Sequence, residues 1–144
     1  MAYKVFISHS VRDIQYVKLL EMILKRCNIE AYIAERDEQY GRILSQKIKR
    51  NIENSDTVLV LWTRNSKHSA YVNQEIGYAE KCSKRIVPLV EEGVTPEGFL
   101  EGREYASFNE YNIKEAMEKI AAYLKQKMKE KEELEMCIEM LKPK

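Results

Sequence analysis

The sequence predicts an α/β protein of the flavodoxin-like, doubly wound class: a five-stranded parallel sheet with helices on both faces. Three observations predict it. Short runs of β-forming residues alternate with amphipathic segments of helical period between about residues 3 and 125. The most apolar run, Thr57–Trp62, is continuous rather than alternating, as a central strand covered on both faces requires. The 144 residues give room for about one domain with its own core. Strands separated by helices close as βαβ units, and βαβ units make parallel sheets.

Each element has its own signal. Tyr3–Ser8 is a short apolar run rich in β-formers. Asp13 is expected to open a helix in which Tyr16, Leu19, Leu20, Ile23, Leu24 and Cys27 recur at three- and four-residue steps. Ile29–Ala34 reads as the second strand, and the polar stretch Glu35–Arg42, with Gly41, as a loop. The next helix carries Ile43, Leu44, Ile48 and Ile52. Asp56 precedes the central strand, and Ser69 is placed to cap a helix with Val72, Ile76 and Ala79 inward. Arg85–Val90 forms the fourth strand, where Pro88 favours a sheet edge or the strand's end. Glu104–Phe108 is the fifth, and Ile113, Ala116, Met117, Ile120 and Leu124 mark the closing helix.

This divides the chain into a domain over residues 1–125 and a charged, helical extension over 126–144. Leu134, Ile138 and Leu141 keep helical spacing in that extension. So short a stripe favours a solvated extension over a self-association helix.

Composition excludes several function classes. The net charge is +1 and basic residues are interleaved with acidic ones, so no nucleic-acid footprint is visible. Three distant cysteines, Cys27, Cys82 and Cys137, show neither metal-ligand spacing nor a disulfide pattern. The opening residues carry no signal-peptide core, and no run reaches membrane-spanning length. A cytoplasmic protein with no membrane partner is expected. His9-Ser10-Val11-Arg12 stands where a glycine-rich phosphate loop would follow the first strand, which argues against a dinucleotide dehydrogenase, a P-loop nucleotidase and a flavodoxin. His9 and His68 lack a partner at motif spacing and read as exposed loop residues, while Trp62 reads as core.

In doubly wound sheets ligands gather at the carboxyl ends of the strands. That brings Ser8–Ser10, the Glu35–Arg42 loop and Trp62–Ser69 around one crevice. The stretch Ser66–Glu75 borders it. Tyr71 and Glu75, four apart, share a helix face, on the flank of the Val72, Ile76 and Ala79 stripe. On the residues alone Glu75 reads as a surface carboxylate favoured by the helix N-terminus.

Taken together the segments resemble a known family. Val5-Phe6-Ile7-Ser8-His9-Ser10 with Asp13 is similar to the first strand and box of TIR domains of the prokaryotic, NAD-cleaving type. Gly41, the Ile48 and Ile52 helix and Ser55-Asp56 resemble the segment after the family's flexible loop. Ser69-Ala70-Tyr71-Val72-Asn73-Gln74-Glu75-Ile76 resembles the element that carries the family's catalytic glutamate, with Tyr71 where tryptophan is usual. Ile86-Val87-Pro88-Leu89 with Phe99-Leu100 is similar to the family's fourth strand and the segment after it. Two further departures are Tyr40 before Gly41, where proline is usual, and Thr63, where many members have serine.

The resemblance implies an NAD glycohydrolase or cyclase. NAD would be the substrate, with no cofactor and no metal. The nicotinamide leaves a pyridinium as a neutral ring, so no acid need protonate it. The ribose becomes oxocarbenium-like and needs one well-placed carboxylate. Glu75 takes that role by resemblance. Tyr71 would line the pocket, with Phe6, Ser8, Ser10 and Ser69 around the crevice and Arg36 meeting phosphates. The resemblance further implies TIR–TIR self-association through the Glu35–Arg42 loop, and immune signalling or antiphage defence through a downstream effector that senses the nucleotide product. The alternative is a non-enzymatic TIR–TIR adaptor. A nucleoside deoxyribosyltransferase-like enzyme is a further rival. A response-regulator receiver fits worse, for it would need an acidic pair where the chain has Ser8-His9.

Overall fold

Alternation along the strands sorts the core into two layers, one on each side of a single sheet. In the computed structural model, residues 2–34 and 44–143 are described. The strands are β1 (Tyr3–Ser8), β2 (Ile29–Ile33), β3 (Thr57–Trp62), β4 (Arg85–Glu91) and β5 (Ala106–Phe108). The helices are α1 (Ile14–Arg26), α2 (Gln46–Glu53), α3 (Ala70–Lys81) and α4 (Ile113–Leu141). All strand pairs are parallel, in the order β2-β1-β3-β4-β5. This is the flavodoxin-like order, and it reverses direction between β1 and β3.

Because successive strand residues point to opposite faces, each strand feeds both layers. Tyr3, Val5 and Ile7 of β1 join Leu59, Leu61 and Leu89 under α1 and α4. Phe6 joins Val58, Val60, Trp62 and Ile86 under α2 and α3. The same period places Ser8, two residues after Phe6, on the α3 side. The register fixes its height, with Ser8 opposite Val60 in β3.

The element order agrees with the sequence reading, and the differences have physical causes. The fifth strand begins at Ala106 rather than Glu104, and it pairs with β4 from Leu89 onward. Pro88 lies in an interior strand, not at an edge. It is tolerated because it pairs with Val60 on one side, while on the other the ladder to β5 begins only at Leu89. Leu44 is buried but precedes α2, whose cap is Ser45, accepting from the Ile48 amide at 3.2 Å. Ile43 lies outside the described residues. α4 continues past the last fully buried position, Leu124, to Leu141. No described helix is long and apolar enough to cross a membrane.

Candidate active site at the β1–β3 switch point

Ser8 ends β1 at the point where the strand order reverses, and α3 packs over it. Ser69 begins α3 as its cap, its side chain accepting from the Val72 amide at 3.3 Å. The buried stripe of α3 is Val72, Glu75, Ile76 and Ala79. Glu75 thus occupies a core position of the helix rather than its flank, and it is 0% exposed. The reading of Glu75 as a surface carboxylate is therefore corrected. Burial of a carboxylate is costly unless hydrogen bonds replace its water. Ser8 supplies one, its hydroxyl donating to Glu75 Oε1 at 2.7 Å.

The other residues expected at the crevice take different positions. Phe6 is wholly enclosed and stacks on Tyr32, with ring centroids 5.5 Å apart, so it forms the floor beneath Ser8. Ser10 is nearly buried, and its hydroxyl accepts from the Arg12 amide at 3.3 Å in the turn Val11–Asp13. Tyr71 is half-buried and packs against the α2–α3 layer. Arg36 and the rest of the Glu35–Arg42 loop lie outside the described residues, as does Gly41.

One of the remaining expectations changes. His9 is buried, not exposed, and its Nδ1 sits 3.2 Å from the Ile7 carbonyl; His68 is exposed as expected. Trp62 is core, and its indole N–H donates to the Thr95 carbonyl at 3.0 Å. Asp13 directly precedes α1 but makes no capping bond. Instead its buried carboxylate accepts from Thr63 Oγ1 at 2.6 Å and Asn65 Nδ2 at 2.8 Å. The sequence carries only a faint signal for this pairing, a carboxylate after the first strand and a hydroxyl after the central one. Among the described residues no cluster of His, Cys, Asp and Glu could hold a metal ion.

Chemically, the arrangement offers one enclosed carboxylate, oriented by a serine hydroxyl, at the carboxyl end of the sheet where ligands of this topology bind.

The fold recurs in solved structures. The TIR domain of a Toll-related receptor from Hydra magnipapillata is 18% identical, with a TM-score of 0.70, covering 87% of this chain and 99% of its own. A CMP N-glycosidase from Clostridium botulinum is 17% identical at TM-score 0.60, covering 83% and 98%. The TIR domains of the activated Roq1 resistosome are 20% identical at TM-score 0.55, covering 84% of each chain. At these identities the likeness speaks for the fold. No curated protein matches the chain in sequence. The TIR-domain family profile, however, matches residues 5–124, nearly the whole of the packed domain, and this chain belongs to the TIR-domain family.

Proposed function

We propose that this TIR domain is an NAD glycohydrolase of the prokaryotic type, with Glu75 as its catalytic residue. The observation that carries the proposal is Glu75 itself: a carboxylate placed in the core stripe of α3, fully enclosed, with the Ser8 hydroxyl on one oxygen. A fold that spends stability on burying a charge at its ligand-binding end gains a function from it. The N-glycosidase among the similar folds supports chemistry on a nucleotide's glycosidic bond.

In the reaction the bond between ribose C1′ and the nicotinamide nitrogen breaks, and its electron pair neutralises the pyridinium. Glu75 stabilises the cation developing on the ribose and grips its hydroxyls. Its charge acts in a dry site, where it is worth more than in water. Water adds at C1′ and loses a proton, giving ADP-ribose; capture by an adenine nitrogen, which loses its own proton if it carries one, gives a cyclic isomer. Tyr71 lines the pocket, Ser10 and Ser69 border the crevice, and Arg36 meets the phosphates. Assembly of several copies through the Glu35–Arg42 loop completes the site, a reading supported by the likeness to resistosome TIR domains.

One observation favours the adaptor reading. Phe99, Tyr105 and Tyr111, flanking β5, are 55%, 51% and 89% exposed, as docking surfaces often are. Purified protein at low and high concentration, beside Glu75→Ala, separates the two. Nicotinamide release by wild type but not by the variant supports the enzyme. Self-association of both without NAD consumption supports the adaptor.

A further inference from the structure

Asp13 and Glu75 are the two carboxylates among the described residues that are buried to 2% exposure or less. Only Glu75 has a part in the reaction proposed above. Asp13 stands where it could cap α1 and does not, although aspartate is a favoured cap. Its carboxylate is turned to the loop after β3, fifty residues on. There Thr63 Oγ1 donates to Oδ2 at 2.6 Å and Asn65 Nδ2 donates to Oδ1 at 2.8 Å.

The Thr63 hydroxyl is fully committed by this bond. Having given its proton to Asp13, it accepts from the Asn65 and Ser66 amides, each at 3.1 Å. Ser66 in turn takes the Thr63 amide on its hydroxyl. One carboxylate is therefore tied to a turn that Thr63 and Ser66 close between them.

The same two segments meet a second time at Ser8 and Glu75. Ser8 lies five residues before Asp13, at the end of β1, and Glu75 lies in the helix that follows the Thr63–Ser66 turn. Each tie closes the span between the β1 side of the crevice and the α3 side. A shift of that turn would move α3 against β1 and change the 2.7 Å contact between Ser8 and Glu75.

We propose that Asp13 is a positioning residue: through Thr63 it fixes α3 against β1 and so holds Glu75 on Ser8 in its working orientation. The proposal rests on the enzymatic reading for its consequence, though not for its geometry. Asp13→Asn leaves one acceptor oxygen for two donors, Thr63 Oγ1 and Asn65 Nδ2. Thr63→Val removes the hydroxyl at nearly constant volume, and Thr63→Ser keeps it.

The test measures NAD turnover for wild type, the three single variants and the double variant Asp13→Asn/Thr63→Val, with thermal unfolding as the control for folding. In parallel, the Glu75 carboxyl carbon is followed by NMR, which needs no turnover. The expected result is a loss of kcat of about tenfold or more in Asp13→Asn and Thr63→Val, since small misplacements of a reacting group are costly. KM should change by less than about twofold, because the interaction lost is made in the transition state. Thr63→Ser should match wild type, the double variant should fall no further than the worse single, and the Glu75 resonance should move in the two impaired variants. Folded Asp13→Asn and Thr63→Val with wild-type kcat and an unmoved Glu75 resonance would overturn the proposal. A wild type that consumes no NAD counts against the enzymatic reading alone. The Glu75 resonance then decides the positioning role: a shift in Asp13→Asn and Thr63→Val sustains it, and none refutes it.

Discussion

The Ser8 hydroxyl donates to the Glu75 carboxylate at 2.7 Å, across 67 residues of chain, from the end of β1 to the helix α3 that covers that face of the sheet. This bond offsets part of the cost of enclosing the carboxylate and fixes one of its oxygens. Ser8→Ala removes the donor and leaves a small gap. On the role proposed for Glu75, the expected outcome is a kcat lower by about tenfold, because the carboxylate loses its orientation. Stability should fall by about 1.5–3 kcal/mol, the worth of a hydrogen bond to a charged group. Steady-state kinetics and urea unfolding of the same preparation check both.

Glu75 itself should cost the fold stability. Glu75→Gln keeps an oxygen for Ser8 to donate to and removes the buried charge. It is expected to be at least as stable as wild type in urea unfolding and to have lost NAD cleavage. Glu75→Ala also loses activity but leaves a void and an unanswered Ser8 hydroxyl, so it should be less stable by about 1–3 kcal/mol. A Gln variant clearly less stable than wild type would mean that the charge contributes to the fold.

The contrast between Asp13 and Glu75 shows what the chain reveals on inspection. The alternation of strands and helices and most helix faces were legible because they rest on periodicity, a local property. Glu75 was singled out by resemblance, yet its burial was written in the spacing too. Positions 72, 75, 76 and 79 form an unbroken inward stripe of α3, and a carboxylate within such a stripe is already unusual. Asp13 was legible as a helix-opening residue and misleading as one, since its partners lie fifty residues away and no local pattern announces them. His9 hid for a similar reason: a histidine at a strand's end looks exposed until the rest of the fold encloses it. The start of β5 is set by where it joins β4, at Leu89, which is a property of the sheet.

Tyr78 ties α3 to α2 in a pH-dependent way. Its hydroxyl donates to Glu53 Oε1 at 2.7 Å, and that bond, with burial and the Glu53 charge, pushes its pKa from 10.0 up to about 12. The raised value means that the fold favours the protonated phenol. Its contribution is whole below pH 10, where the unfolded chain also holds the proton, and is lost as pH rises towards about 12. Tyr78→Phe should therefore be less stable than wild type by a constant amount up to pH 10. The gap should close between pH 10 and 12, as urea unfolding across that range would show. A gap that persists unchanged to pH 12 would mean that ionisation of the phenol does not govern the stabilisation.

The far half of α4 has two parts that should separate on truncation. Met128 still packs on the α1–α4 layer, and Lys131 holds Asp56 at 2.9 Å, where Asp56 also accepts the Lys4 amide at 2.8 Å. Beyond it Leu134, Met136, Ile138, Met140 and Leu141 are 62%, 66%, 51%, 81% and 83% exposed, so they contribute little burial within the chain. Removing residues 133–144 should shift Tm by less than about 2 °C, since under 1 kcal/mol is at stake. Removing residues 126–144 also takes away Met128 and the Lys131 anchor. Partial burial of one methionine and one part-exposed ion pair together amount to about 1–3 kcal/mol, hence a fall of about 2–10 °C. Thermal unfolding at two protein concentrations distinguishes a contribution within the chain from one between copies. If the shorter truncation costs as much as the longer, and only at high concentration, the exposed apolar residues are covered by a second copy in solution.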